Sequence, residues 1–99
     1  AGQTQLARIA ALELGHYGIR VNIVHPDCVY DTGLWTSNVL ERSAKRYGLT
    51  VEEYKSRNIL KTDVKTIEVA QMVCAMAGQV FAKTTGAQIP IDGGNERVI

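Results

Sequence analysis

The apolar positions along the chain predict helices and strands in alternation. Residues 6–14 are apolar around most of a helical wheel, so this first helix needs cover on two of its sides. Gly15 and Gly18 predict its C-terminal stop. Residues 19–24, Ile-Arg-Val-Asn-Ile-Val, alternate in polarity and are rich in β-branched side chains, which predicts a strand that ends at Pro26.

Two helices are predicted in the middle of the chain. The first is amphipathic and ends at Gly48, and its apolar positions recur at helical spacing. These positions are Leu34, Trp35, Val39, Leu40, Ala44 and Tyr47. The second begins with the capping box Thr50-Val-Glu-Glu53 and is predicted to run to about Asn58 or Ile59.

The remaining elements define the fold class. Thr66 is predicted to cap a further helix, and residues 87–91, Ala-Gln-Ile-Pro-Ile, predict a last short strand that Pro90 places at a sheet edge. Two strands far apart in the chain with helices between them predict parallel pairing through a crossover, and therefore an α/β fold. Because two strands do not form an independently stable sheet, we expect a part of a larger α/β domain, or a chain that folds only against partner subunits.

Composition narrows the possible partners and surroundings. The formal net charge is only +1, which argues against binding to nucleic acid or to an anionic membrane surface. No apolar stretch approaches the roughly 18 residues that a membrane span requires. The two cysteines, Cys28 and Cys74, are not in a CxxC arrangement, so neither a disulfide framework nor a zinc cluster is indicated. A reducing, cytoplasmic setting is expected.

Several common catalytic and nucleotide-binding motifs do not occur in the chain. The nine glycines include no GxGxxG and no GxxxxGK[ST], so a phosphate-binding turn cannot be built from this stretch alone. There is also no GxSxG elbow and no HExxH zinc motif. Dinucleotide binding, if it occurs, must begin outside these residues.

A dense group of polar residues directly follows the predicted first strand. It consists of His25, Asp27, Cys28 and Asp31, in a loop at the carboxyl end of the strand, where open α/β folds place their sites. The four have the atoms of metal ligands but no recognised ligand spacing. We interpret the carboxylates as hydrogen-bonded loop groups, and Cys28 as a small buried thiol rather than a nucleophile paired with His25.

Two aromatic residues, Tyr30 and Trp35, flank this loop. They are placed to close over a ligand. Trp35 is equally well explained as the first core residue of the second helix. Both interpretations stay open on the sequence alone.

Two segments of the chain carry a resemblance to a known family. Gly18-Ile-Arg-Val-Asn22 followed by Pro26, and Thr85-Gly-Ala-Gln-Ile-Pro-Ile-Asp-Gly-Gly94, resemble the C-terminal part of short-chain dehydrogenases/reductases. The resemblance covers essentially all 99 residues. It implies the C-terminal part of a Rossmann-type doubly wound parallel sheet, in the order helix, strand, helical lid, helix and edge strand.

The resemblance also implies that the catalytic groups precede this chain. In the family a catalytic Tyr and Lys, spaced YxxxK, lie on the helix that residues 1–14 resemble, and the Lys falls one position before Ala1. We therefore expect the glycine-rich loop and the catalytic Ser, Tyr and Lys in a preceding N-terminal half of the same domain. No catalytic residue and no metal ligand is assigned here, and the 99 residues alone are expected to be inactive.

The implied cofactor is NAD or NADP, lying against the loop after the first strand. Pro26 is expected to pack beside the nicotinamide ring, and backbone groups of Val29 to meet its carboxamide. The family pattern PGxVxT reads Pro26-Asp-Cys-Val-Tyr-Asp31 in this chain, so that Asp27 replaces Gly and Asp31 replaces Thr. Both positions remain expected cofactor contacts, and Thr32, one place later, can supply the hydroxyl.

The segment that follows resembles a narrower group within the family. Gly33-Leu-Trp-Thr36 and residues 44–54 are similar to the dehydrogenase portion of bifunctional rhamnulose-phosphate aldolase/alcohol dehydrogenases. This implies a small hydroxy-aldehyde such as lactaldehyde, or the related alcohol, as substrate. It would be covered by a mobile lid over residues 33–59 in which Gly33 and Trp35 contact it. A homo-oligomer with the first helix and last strand in its interfaces is also implied.

Two alternatives stay open. One is a non-catalytic folded piece that acts only in subunit assembly. The other is a short-chain reductase of sugars or sugar alcohols, which shares every motif above and differs only in the lid. The choice between NAD and NADP is not decided, because the residue that reads the ribose belongs to the preceding half.

Overall fold

The computed structural model describes residues 2–95. Its helices and strands follow one another as α1 (Gly2–Leu14), β1 (Ile23–Pro26), α2 (Ser37–Arg46), α3 (Val51–Lys55), α4 (Thr66–Ala77) and β2 (Gln88–Ile91). Short 3-10 turns follow α1 and α4. This order confirms the predicted α/β class. No helix in the described part of the chain combines the length and apolar character needed to cross a membrane.

The two strands pair in parallel. The backbone N–H of Ile23 donates to the carbonyl of Ala87 at 2.9 Å, and that of Asp27 donates to the carbonyl of Ile91 at 3.2 Å. Both partners advance by four residues in the same direction, which is the register of a parallel ladder. The predicted crossover through the intervening helices is therefore confirmed.

The first strand starts later than its pattern predicts. The pattern predicts a strand from Ile19 that ends at Pro26, whereas β1 begins at Ile23 and does end at Pro26. The reason lies in Asn22, whose side-chain amide donates to the carbonyl of Thr84 and accepts the N–H of Ala87. An asparagine side chain, rather than a ladder of backbone bonds, therefore joins this part of the chain to its neighbour.

The capping signals of the middle helices are largely confirmed. The Thr50 hydroxyl accepts the N–H of Glu53 at 3.1 Å, and the Glu53 carboxylate accepts the N–H of Thr50 at 3.0 Å. Yet α3 ends at Lys55, short of the predicted Asn58 or Ile59. The backbone leaves the helix before Asn58, and the side chain of Asn58 makes its hydrogen bonds with the backbone of Thr62.

The starts of α2 and α4 differ from the prediction by a few residues. Thr36 caps α2 by accepting the N–H of Val39, so the predicted helical positions 34 and 35 precede the helix. Thr66 is the first residue of α4 and not its cap. Lys65 is the residue directly before the helix, and its N–H donates to the carboxylate of Glu68 at 2.9 Å.

The first helix leaves three of its four large apolar side chains exposed, namely Leu6, Ile9 and Leu12. It stops as predicted, because Gly18 adopts a left-handed φ of 75° and its N–H bonds to the carbonyl of Gly15. Among the described residues of α1 only Ala11 is buried, whereas Leu6 is 66% exposed and Leu12 is 84% exposed. This is the surface that the sequence pattern expects to be covered.

The described residues fall into two compact units. One holds residues 2–25 and 70–90, and the other holds residues 26–69 and 91–95. In the first unit the guanidinium of Arg20 donates to the carbonyl of Met76 at 2.9 Å and so joins the segment before β1 to the end of α4. The second unit contains the main buried cluster.

Aromatic rings form the core of the second unit. The buried residues of this aromatic cluster are Cys28, Tyr30, Ala44 and Tyr54. Trp35 packs against them with its ring edge-on to Tyr30 at 4.7 Å between centroids, and Tyr54 lies 5.5 Å from Tyr30. Because Tyr30 belongs to the loop after β1 and Tyr54 to α3, the cluster joins that loop to the middle helices.

A tight turn after β2 packs directly on the segment that follows α3. Asn58 is completely buried, and its amide donates to the carbonyl of Thr62 while its oxygen accepts the N–H of the same residue. Gly93 has a φ of +65°, and a Cβ built on it would lie 2.5 Å from the Asn58 side chain. Only glycine fits this position, on grounds of both conformation and space.

Replacing Gly93 therefore has a defined expected effect. Gly93→Ala is expected to lower the free energy of unfolding by at least about 2 kcal/mol, because a left-handed residue and a collision with a buried amide are imposed together. The measurement is chemical denaturation of the protein. Gly33→Ala is the matched control, since a Cβ there meets nothing within 4 Å. Equal stability of the two variants would contradict the steric argument.

Candidate functional site

The loop after β1 is shaped by a left-handed residue. Cys28 has a φ of 59°, which non-glycine residues adopt rarely, and only 5% of it is exposed. The carboxylate of Asp27 accepts the N–H of Cys28 at 2.8 Å and supports this conformation. The turn separates the exposed Asp27 from the buried Tyr30.

Asp27 also ties the loop to the end of β2. Its backbone N–H donates to the carbonyl of Ile91, and its second carboxylate oxygen accepts the side-chain amide of Asn95 at 3.0 Å. Asp27 stands where the family pattern has glycine, and the family resemblance predicts that it contacts the cofactor. The structure places its carboxylate in hydrogen bonds within the protein, which gives the aspartate a structural explanation.

Two attachments join the next part of the loop to the segment before α4. Val29 pairs with Val64 in a parallel bridge, and the carboxylate of Asp31 accepts the N–H and the hydroxyl of Thr66 at 3.0 and 3.1 Å. Partial desolvation raises the pKa of Asp31, but the hydrogen bonds from Thr66 outweigh it and hold that pKa below its usual value. The carboxylate of Asp31 is therefore ionised and binds the first residue of α4.

The residue that follows has an unsatisfied hydroxyl. Thr32 Oγ1 is buried and has no hydrogen-bond partner within residues 2–95. A buried hydroxyl without a partner is uncommon and calls for a ligand or a water. Of the predicted cofactor contacts, Thr32 is thus the one whose polar side-chain atom stands ready for an outside group.

The loop residues Pro26, Val29 and Thr32 fit a nicotinamide ring and its carboxamide. The carboxamide has one acceptor oxygen and two donor hydrogens, and a threonine hydroxyl can serve either of them. Pro26 is exposed at the end of β1 and offers an apolar ring, while Val29 is half-buried. The donor set of this loop is compatible with the group that the sequence implies.

Cys28 is a buried thiol, as the sequence analysis favoured. Burial raises its pKa, against a smaller lowering effect of the hydrogen bond from Tyr30. The ring of His25 makes its hydrogen bond with the side chain of Gln88. Within the described part of the chain, no three His, Cys, Asp or Glu side chains are grouped so that they could hold a metal ion.

The predicted substrate contacts differ in their surroundings. Gly33 is exposed and is followed by Leu34, which is 84% exposed. Trp35 is half-buried against the aromatic cluster, which favours the interpretation as a core residue. Neither observation tests contact with a substrate, so those roles stay predictions.

Arg57 is a residue of this region that the sequence pattern did not predict. Its guanidinium lies over the rings of Tyr54 at 4.1 Å and Tyr47 at 4.9 Å, so that it covers the outer side of the aromatic cluster. The two tyrosines belong to α3 and to the end of α2, seven residues apart. The signal for this site in the sequence is a basic residue three positions after an aromatic one, just beyond the end of α3.

The chain matches a known protein family over nearly its whole length. A family model described as "Enoyl-(Acyl carrier protein) reductase" matches residues 1–96. The uncharacterized oxidoreductase YuxG of Bacillus subtilis is 37% identical over 97 residues, which are 93% of this chain and 14% of that protein. The chain therefore spans only a small part of that relative.

Solved structures resemble this one closely. A short chain dehydrogenase family protein from Francisella tularensis matches with a TM-score of 0.77 and 30% identity, over 97% of this chain and 40% of its own. Sorbitol-6-phosphate 2-dehydrogenase SrlD from Erwinia amylovora matches with a TM-score of 0.78 and 26% identity, over 95% and 38%.

Two further similar proteins carry different cofactors in their names. An uncharacterized NAD-dependent oxidoreductase of Mycobacterium tuberculosis is 31% identical over 90 residues, 90% of this chain and 32% of its own. The RhlG/NADP complex of Pseudomonas aeruginosa matches with a TM-score of 0.69 and 28% identity, over 93% and 33%. Both nicotinamide cofactors thus occur among the proteins similar to this chain.

The two cysteines are expected to react very differently. Cys74 is exposed, whereas Cys28 is buried and its raised pKa keeps it in the thiol form at neutral pH. Iodoacetamide should therefore modify Cys74 first, and Cys28 only after denaturation, as read by mass spectrometry of the peptides. Modification of Cys28 in the native protein at the rate of Cys74 would contradict the burial described here.

Proposed function

The chain belongs to the short-chain dehydrogenase/reductase family, and we propose that it forms the cofactor-loop and lid half of a dehydrogenase domain. The catalytic Ser, Tyr and Lys are proposed to lie in the half that precedes it. The observation that carries this proposal is the buried hydroxyl of Thr32, which has no partner in the described residues and lies in the loop where the family resemblance puts the nicotinamide.

The proposed cofactor is NAD or NADP, whose nicotinamide ring exchanges a hydride with the substrate. Thr32 would bind the carboxamide through its hydroxyl, Pro26 would lie beside the ring, and backbone groups of Val29 would complete the contact. Asp27 and Asp31 would act indirectly, because their carboxylates hold the loop in place. The protein's part at this wall of the site is to orient the ring and to exclude water from it.

The proposed substrate is a small hydroxy-aldehyde such as lactaldehyde, or its alcohol, beneath a lid over residues 33–59. The support is the similarity of residues 33–36 and 44–54 to the aldolase-fused dehydrogenases. YuxG bears only on the fused domain: its 97 aligned residues are 14% of its length, whereas the matched stretch is 40% of the Francisella tularensis structure. A protein that long has room for a fused second domain.

A sugar-alcohol phosphate is the second candidate substrate. The similarity to sorbitol-6-phosphate 2-dehydrogenase SrlD favours it. The two candidates separate in one assay, in which the alcohol of lactaldehyde and sorbitol 6-phosphate are both oxidised by the complete domain with NAD or NADP. A higher kcat/KM with sorbitol 6-phosphate would overturn the hydroxy-aldehyde proposal and leave the family assignment intact.

A role in subunit assembly alone is the alternative from a different class. The exposed apolar side chains of α1, Leu6 and Leu12 among them, favour burial against another part of the domain or a second copy of it. We propose a homo-oligomer in which this burial accompanies catalysis instead of replacing it. The assay below distinguishes the two roles.

Activity is expected only when the preceding half is present. The 99 residues alone should show no aldehyde-dependent oxidation of NADH or NADPH, because the general acid/base lies outside them. The complete domain, which includes the YxxxK segment, should show it, as read from the absorbance of the reduced nicotinamide. Turnover by the isolated chain would contradict the proposed division of labour, and an inactive complete domain would favour the assembly role.

Loss of the Thr32 hydroxyl is expected to weaken cofactor binding. Thr32→Val in the complete domain should raise the KM for NAD(P)H about three- to tenfold, which corresponds to one hydrogen bond to a neutral group. Thr84→Val is the matched control, because Thr84 is also half-buried and its side chain lies outside this loop. Unchanged cofactor affinity in Thr32→Val would remove the observation that carries the proposal.

A further inference from the structure

Two attachments between the cofactor loop and α4 share one register. The residues of the Val29–Val64 bridge and of the Asp31–Thr66 contact are each 35 positions apart in the chain. The two segments therefore run side by side in parallel, with a backbone bridge at one point and a side-chain contact two residues later. Val64 is buried, so the first point of attachment is shielded from water.

The second attachment uses both oxygens of the Asp31 carboxylate. Oδ1 accepts the Thr66 N–H at 3.0 Å, and Oδ2 accepts the Thr66 hydroxyl at 3.1 Å and lies 3.3 Å from the same N–H. Thr66 is the first residue of α4, where backbone N–H groups lack partners within the helix and the helix dipole favours a negative charge. The two-pronged contact fixes the orientation of the aspartate as well as its position.

Asp31 stands directly before the unsatisfied Thr32. The family pattern PGxVxT puts a threonine at position 31, which has a single hydroxyl and could not span both groups of Thr66 as a carboxylate does. The anchoring contact and the hydroxyl that has no partner among residues 2–95 are therefore on neighbouring residues. A rotation of the backbone at Asp31 would carry the Thr32 hydroxyl out of its buried position.

We propose that Asp31 is a positioning residue for the cofactor, which acts by anchoring the loop to the start of α4 and so holds the Thr32 hydroxyl toward the carboxamide. The inference rests on the proposed function and deepens it. It gives one explanation for two departures from the family pattern, which are the aspartate at position 31 and the threonine at position 32 instead of 31. It differs from a simple helix-capping role, in which Asp31 would stabilise α4 without effect on cofactor binding.

A double-mutant cycle separates the two roles. In the complete domain, Asp31→Ala should raise the KM for NAD(P)H about three- to tenfold, while kcat and the KM for the aldehyde at saturating cofactor stay near their wild-type values. The same substitution should have almost no further effect on cofactor KM in the Thr32→Val background, because the hydroxyl through which it acts is absent. Asp31→Asn, which keeps one acceptor oxygen, should recover part of the affinity.

A matched control is available close by. Asp63→Ala removes a carboxylate three residues before α4 that forms ion pairs with Lys55 and Lys65, each 3.4 Å long. It should leave the cofactor KM unchanged. Hydrogen exchange of the Thr66 amide should become faster in Asp31→Ala and stay slow in Asp63→Ala.

The outcomes are distinguishable. Faster exchange at Thr66 with an unchanged cofactor KM would make Asp31 a structural cap only and overturn the inference. Equal effects of Asp31→Ala with and without the Thr32 hydroxyl would overturn it as well. If Asp31→Ala does not fold, Asp31→Asn and Thr66→Val carry the same comparison. A wild-type domain that binds neither NADH nor NADPH would overturn the proposed function itself.

Discussion

The burial of Tyr30 is the constraint on which the candidate site depends. Its ring lies among Trp35 and Tyr54, and burial raises the pKa of its hydroxyl well above the usual value, so the side chain stays neutral and in place. Tyr30 stands between the two loop residues that contact the segment before α4 and its first residue, Val29 through its bridge to Val64 and Asp31 through Thr66, so its burial fixes the course of the loop between them. The aromatic cluster thus sets the direction of the loop, and the polar contacts set its details.

The sequence predicted the elements well and their ends less well. Periodicity and β-branched runs located the four helices and two strands of residues 2–95, and the capping box of Thr50 and Glu53 was recognisable because its partners are three residues apart. The strand start, the end of α3 and the cap of α4 were placed wrongly. Each of these depends on a side chain that bonds a remote or unexpected backbone group, as Asn22 does with Thr84 and Asp31 with Thr66.

The candidate site was predicted as a segment rather than as an arrangement. A loop after a strand, with polar residues and a family pattern, was readable from residues 26–32. The division of roles within it was not, because the same carboxylate types serve as loop anchors at Asp27 and Asp31 and no spacing rule tells anchors from ligands. The contact of Arg57 with two tyrosines was likewise beyond a linear pattern, since it needs the fold that brings α2 and α3 together.

The packing of Asn58 against Gly93 has a consequence for how such chains change over evolutionary time. The buried amide occupies the space that any side chain at position 93 would need, and it also holds the backbone of Thr62. We therefore expect that neither Asn58 nor Gly93 is substituted alone. Chains that descend from a common ancestor should therefore either keep this pair together or exchange both members within one lineage.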